Sequence, residues 1–170
     1  MDEDLRKTVE FHGHLCPGLA IGYRVSKYVK EHYLRSEDEE LVAVVENNSC
    51  SVDAIQEILG CTFGKGNLIY KDRGKQIFTI YSRGNGKGKA LRIYFKGDLS
   101  GSRDALIQRI INAPEDEILS VTEVDLPEPE KARIYSSLIC QECGEGFMEI
   151  CGRTARGKIV CQECFEKLVR

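Results

Sequence analysis

A chain of 170 residues with 42% hydrophobic content has enough apolar side chain to bury a core, so a globular protein is expected rather than a disordered one. No apolar run approaches the roughly 20 residues that span a bilayer, and the opening "MDEDLRK" is charged where a signal peptide is apolar, so the expectation is a cytoplasmic protein with no membrane partner. Eight cysteines in such a chain argue for metal binding or thiolate chemistry over a disulfide framework.

The net charge of −3 conceals a segregation. Residues 62–97 hold nine Lys or Arg against one acid, Asp72, while residues 1–61 and 98–132 are each net −6. A basic middle could draw an anionic ligand, and it equally suits the solvent face of strands.

From Pro17, "PGLAIGYRVSKYVKEHYL" places Leu19, Gly22, Val25, Val29 and Tyr33 on one stripe behind a proline at the first helical position, which predicts an amphipathic helix. "LVAVVEN" at 41–47 is continuously apolar and β-branched, the pattern of a buried strand. "SVDAIQEILG" predicts a helix with Ser49 or Ser51 as N-cap and Gly60 as its stop. The basic middle predicts an antiparallel meander: "NLIYK", a turn at "DRG", "KQIFTIYSR", the loop "GNGKG", then "ALRIYFKG". A helix "SRDALIQRIINA" follows, capped by Ser100 or Ser102 and closed before Pro114, and "EILSVTEVDL" reads as a final strand. "PEPEK" at 127–131 fits an extended linker. The expected architecture is α+β: a mixed or antiparallel sheet with helices over residues 1–126, a linker at 127–132, and a small module over 133–170.

In that module Cys140-x2-Cys143 and Cys161-x2-Cys164 stand seventeen residues apart. Each pair can bite one Zn²⁺ from a tight knuckle, four thiolates completing a tetrahedron. Roughly 40 residues bury too little surface to fold alone, so the metal would supply the folding free energy. "CFEKLVR" runs on as a helix, which favours a treble-clef-like finger, and Cys151 lies outside the pattern. Six basic against five acidic residues make this segment nearly neutral, so contact with a protein partner is expected ahead of nucleic acid.

A second constellation opens the chain in "FHGHLCPG". Pro17 puts Cys16 at or near a helix N-cap, where unpaired amide N–H groups and the helix dipole favour a thiolate. Cys50 holds a similar place ahead of the next helix, and Cys61 follows that helix in "GCTFGKGN", where Lys65 and backbone amides could cradle an anion. His12, His14 and the cysteines form a mixed nitrogen and sulfur donor set that suits Zn²⁺ or another borderline transition metal, with a Cys/His nucleophilic pair as the rival reading. His32, late in the first long helix, has no special role in either.

"FHGHLCPGLAIGYR", "NNSCSVDAIQEILGCTFGKGN" and "RIYF" resemble the FmdE family, named for the E component of formylmethanofuran dehydrogenase, in its version followed by a C-terminal zinc finger. The resemblance implies an α+β core, a tightly associated homodimer and a zinc-binding appendage. It places the family's motif residues on His12, His14, Cys16, Cys50, Asp53 and Cys61, with Gly64 to Asn67, and implies that they converge in one pocket able to hold a metal. The dehydrogenase's own redox reaction uses a molybdenum or tungsten pterin and iron–sulfur clusters on its other components. This chain lacks the ferredoxin-type cysteine run, so that activity is not expected from it alone.

The expectation is a metal-binding accessory protein whose core ion is held by His14, Cys16 and Cys61 with help from Cys50 or His12, Asp53 orienting a ligand, and the finger contacting a partner. Two alternatives stand beside it. One is a metal-sensing regulator that binds protein or nucleic acid through the finger. The other is a stand-alone metal or thiol enzyme in which Cys16 and His14 act on a small anionic substrate.

Overall fold

Helix boundaries follow local capping chemistry. In the computed structural model, which describes residues 2–33, 40–83 and 89–170, Asp2 caps α1 (Glu3–His12) by accepting the Leu5 N–H at 2.9 Å. Gly13 ends that helix in the left-handed region at φ 96°, a conformation that a side chain would strain. Pro17 then opens α2 (Pro17–His32). The sequence expectations contain no element ahead of α2, because the buried stripe of α1 is thin, with only Leu5 and Thr8 fully covered.

The chain divides into two compact units, Met1–Lys131 and Ala132–Arg170. The first holds a five-stranded mixed sheet in the order β2-β1-β3-β4-β5. Its strands are β1 (Glu40–Val45), β2 (Leu68–Tyr70), β3 (Ile77–Arg83), β4 (Ala90–Phe95) and β5 (Leu119–Val124). The last three pair antiparallel in sequence order, as a meander requires. β2 departs from the expected meander: it lies parallel to β1, with Ala43 opposite Leu68, and does not form a hairpin with β3. The cause is α3 (Ser51–Leu59), which returns the chain across the sheet between β1 and β2, as a parallel pair demands. The expected loop "GNGKG" at 84–88 lies outside the described residues.

Strand alternation sends Leu41, Ala43 and Val45 of β1, Phe78 and Ile80 of β3, and Leu91, Ile93 and Phe95 of β4 toward the helices, where they meet Val25, Val29 and Ile55. α4 (Arg103–Asn112) adds Leu106 and Ile110 to this core, and Ser102 caps it by accepting from the Ala105 N–H at 3.4 Å. Its C-terminal carbonyls are satisfied from α2: buried Arg24 donates Nη1 to the carbonyls of Ile110, Ile111 and Ala113 at 2.7, 2.8 and 2.8 Å. α5 (Glu115–Ile118) is a single turn leading into β5.

Two glycines set how closely α2 and α3 approach. A Cβ on Gly22 would sit 2.0 Å from the Ser51 carbonyl oxygen, and one on Gly18 would sit 3.2 Å from the Cys50 Cβ. The helices therefore touch main chain to main chain, which no larger residue at position 22 permits.

The second unit is small. β6 (Ser137–Ile139) pairs with β7 (Gly146–Met148), β8 (Arg153–Ala155) pairs with β9 (Lys158–Val160), and α6 (Gln162–Val169) follows. Arg156 and Gly157, at φ 51° and 77°, make the two-residue turn that closes the second hairpin. Among the described residues no helix is long and apolar enough to cross a membrane.

Candidate metal centres

Among the described residues two groups of donor side chains that include cysteines converge, one in each unit. In the second unit, Cys140 and Cys143 bracket the turn between β6 and β7, while Cys161 and Cys164 sit at the start of α6. All four sulfurs lie within 4.8 Å of one another, and Cys143 Sγ is 4.0 Å from Cys161 Sγ. Thiolates around a tetrahedral ion at zinc's bond length stand about 3.8 Å apart, so the spacing fits such an ion. The Cys161 N–H donates to Cys140 Sγ at 3.3 Å. Burial opposes ionisation of Cys140, yet the backbone N–H groups of Cys143, Cys161 and Glu142 hold its thiol down to about 6. Cys151 is exposed in a 3₁₀ turn and stands outside the group.

In the first unit the converging donors are His12, Cys16 and Cys50, again within 4.8 Å of one another. Each is placed by a helix terminus. His12 ends α1, and Gly13 turns the chain so that Cys16 becomes the N-cap of α2, its sulfur accepting the Leu19 N–H at 3.4 Å. Cys50 precedes α3 and reaches Cys16 because Gly18 and Gly22 let the two helices close. His12 Nε2 lies 3.9 Å from Cys16 Sγ, near the roughly 3.6 Å that zinc's bond lengths impose on tetrahedral nitrogen and sulfur ligands.

The other ring nitrogen of His12 is engaged as well. Nδ1 is 2.6 Å from Asp53 Oδ2, and Asp53 is carried on the first turn of α3. Donating Nδ1–H to this carboxylate leaves the Nε2 lone pair directed at the sulfurs, the arrangement by which a carboxylate fixes a ligating imidazole. Burial, and then the neighbouring Cys16 sulfur, push the Cys50 thiol up. Leu19 and Ala54 form the apolar floor with Val9, Leu15 and Ile58, and Arg103 on α4 ties down the Leu15 carbonyl at 2.7 Å.

The remaining expected residues are placed differently. His14 is exposed, its ring 4.7 Å from that of His12 and tilted by 36°, and it is not among the converging donors. Cys61 is fully buried in the main core, where burial pushes its thiol up to about 12. It lies beyond the C-terminal end of α3, whereas Cys50 precedes the N-terminal end; nine helical residues put about 13 Å between those ends. One ion in this unit therefore cannot gather both. Lys65 is exposed on the Cys61 side, its N–H donating to Thr62 Oγ1 at 3.3 Å. Asn67 closes that loop on itself, accepting the Thr62 N–H at 2.9 Å and donating to the carbonyls of Leu41 and Gly60 at 2.9 and 3.3 Å.

The sequence signal missed was Gly18-x3-Gly22, small residues one helical turn apart that mark a close helix crossing. A third group, Glu31, His32 and Glu115, also gathers, but it is a surface arrangement in which His32 Nε2 meets Glu115 Oε2 at 3.2 Å.

Comparison with known proteins agrees with this architecture. A family model described as FmdE, molybdenum formylmethanofuran dehydrogenase operon, matches residues 11–120. A curated protein from Archaeoglobus fulgidus, named a probable S-adenosyl-L-methionine-binding protein, is 32% identical over 175 residues, covering 83% of this chain and 48% of that protein. The chain thus spans about half the length of that relative. A crystal structure of a tungsten formylmethanofuran dehydrogenase FmdE-like protein from Syntrophus aciditrophicus superposes with a TM-score of 0.72 at 27% identity, over 96% of this chain and 90% of that one.

Proposed function

The chain belongs to the FmdE family, and on that premise we propose that it is a metal-binding accessory protein of the FmdE type. In this reading His12, Cys16 and Cys50 hold one transition-metal ion, Zn²⁺ or similar, with Asp53 orienting His12. Cys140, Cys143, Cys161 and Cys164 hold a structural Zn²⁺ in a treble-clef-like finger that contacts a protein partner. The observation that carries the reading is the convergence of two thiols and one imidazole nitrogen, from three separate helix termini, with a carboxylate on the far side of the ring.

The ion would supply a positive centre and a site for an added ligand. The chain's own residues position the donors, set the tautomer of His12 and keep one side of the group apolar. Homodimerisation in the cytoplasm belongs to the same proposal, and Phe11 and Phe63, 55% and 80% exposed, are side chains that a second copy would cover. The relative's S-adenosylmethionine is not carried over, since only about half of that protein is spanned.

Metal analysis of the purified full chain tests the reading. Wild type is expected to hold two equivalents, Cys16→Ser to lose one and Cys140→Ser to lose the other. Unchanged metal content in Cys16→Ser would defeat the core site.

One observation favours a second reading, an independent enzyme. The converging donors number three, and zinc sites with three protein ligands keep a position for water or substrate. Turnover of a small anionic substrate that disappears in both Cys16→Ser and His12→Ala would support it.

A further inference from the structure

We propose that the cleft beside β3 and β4 is a binding site for a small anion carrying an apolar or aromatic body, such as an aryl or alkyl phosphate or carboxylate. The cleft encloses about 520 Å³, within the range of roughly 300 to 1,000 Å³ typical of small-molecule sites. Lys75 and Arg92 supply its charge; Ile77, Tyr94 and Leu99 supply its apolar surface.

The register explains why these groups share one wall. Ile77 pairs with Tyr94 and Thr79 with Arg92, so Arg92 and Tyr94, two residues apart on β4, stand on the same face of the sheet. The cations are also uncommitted. Nearby Arg73 pairs with Glu46 at 2.8 Å and Arg109 with Asp98 at 2.9 Å, but neither Lys75 nor Arg92 has an acidic partner among the described residues. Glu46 and Asp98 are thus engaged by other cations, and two positive charges line a concave surface. A guanidinium beside an ammonium recognises the oxygens of a phosphate or carboxylate. Tyr94 and Leu99, 43% and 56% exposed, offer contact area to the rest of the ligand. Gly97 packs directly on the Phe95 ring, where a Cβ would come within 2.5 Å of it, so this part of the lining admits no side chain.

The cleft also adjoins the turn that carries Cys50. Gln76 lines it, and its side chain donates to Ser49 Oγ at 2.9 Å and accepts from Ser51 Oγ at 3.1 Å, the two residues flanking Cys50. Anion binding itself needs no metal in the core site, so the proposal stands apart from the assignment of His12, Cys16 and Cys50.

Titration of the full chain with phenyl phosphate and with inorganic phosphate, followed by calorimetry and by backbone amide NMR, tests it. Phenyl phosphate is expected to bind more tightly than inorganic phosphate, to weaken with added salt, and to shift amides of residues 74–77 and 92–99. Lys75→Gln combined with Arg92→Gln is expected to lower its affinity about tenfold or more, while Arg92→Lys, which keeps the charge, retains most of it. Tyr94→Ala is expected to weaken phenyl phosphate and leave inorganic phosphate unchanged. Equal affinity for the two probes, no binding at millimolar concentration, amide shifts elsewhere, or an unaffected double variant would each overturn the proposal.

Discussion

In the C-terminal unit Cys140 and Cys164 are members of the core itself, sharing it with Ala155 and Val160 and edged by Phe147, Phe165 and Leu168. In the N-terminal unit Cys16 belongs to a small cluster with Leu19 and Ala54, separate from the main core that runs from α2 through the sheet to α4. The first arrangement has four strands of three residues each and little apolar surface besides the cysteines. The second has a five-stranded sheet with a complete hydrophobic layer before any donor is counted. A metal in the former would be a condition of folding; a metal in the latter would be a guest on a fold that stands without it.

The largest effect should come from breaking the cysteine-built unit. Structural zinc in small fingers is worth about 10–16 kcal/mol, more than a segment of this size can replace. Cys140→Ser, or removal of metal by a strong chelator, is expected to free the backbone at the surface residues Arg153, Arg156 and Lys158 for cleavage by trypsin while residues 1–131 resist. Mass analysis of the fragments reads this directly, and an intact C-terminal unit after metal removal would erase the contrast. Next in size is Gly22→Ala, whose new Cβ meets the Ser51 backbone. It should cost the N-terminal unit about 3 kcal/mol in urea unfolding and lower its metal content, whereas Gly18→Ala, opposed by one Cβ at 3.2 Å, should cost about 1 kcal/mol.

Asp53→Asn sharpens the comparison, because it removes orientation and leaves every donor in place. Metal affinity of the core site is expected to fall about 10- to 100-fold in a chelator competition, with the melting temperature of the unliganded protein unchanged. Cys61→Ala should do the reverse, lowering stability by about 1 kcal/mol through lost burial and sparing the metal content. Cys16→Ser is expected to change the stability of the apo protein by less than about 1 kcal/mol in urea unfolding, although it removes a donor of the core group.

Legibility in the sequence followed distance along the chain. The four C-terminal cysteines come as two local pairs, so their spacing alone displays the knuckles. The N-cap positions of Cys16 and Cys50 are local too, since Pro17 and the onset of "SVDAIQEIL" mark the helix starts. Which donors meet depends on which ends of helices face each other. That is a tertiary fact: the expected set of His14, Cys16 and Cys61 needed α3 to present its C-terminal end, and it presents its N-terminal end instead. The pairing of β2 with β1 was hidden for the same reason, because the β-strand pattern of "NLIYK" says nothing about its neighbour. Asp53 was legible as a carboxylate on the right helix, but its contact with Nδ1 of His12 spans forty-one positions of sequence.

The contact between Gly22 and Ser51 has a consequence for the reach of the two N-terminal thiols. Main chain against main chain is the closest approach that α2 and α3 can make, and it leaves no side chain between them to hold the helix starts apart. Cys16 and Cys50 are thereby brought within reach of one another, and only their own side chains are left to adjust the distance between the sulfurs. The shape of the donor group is decided in part by a pair of residues that carry none of its donor atoms.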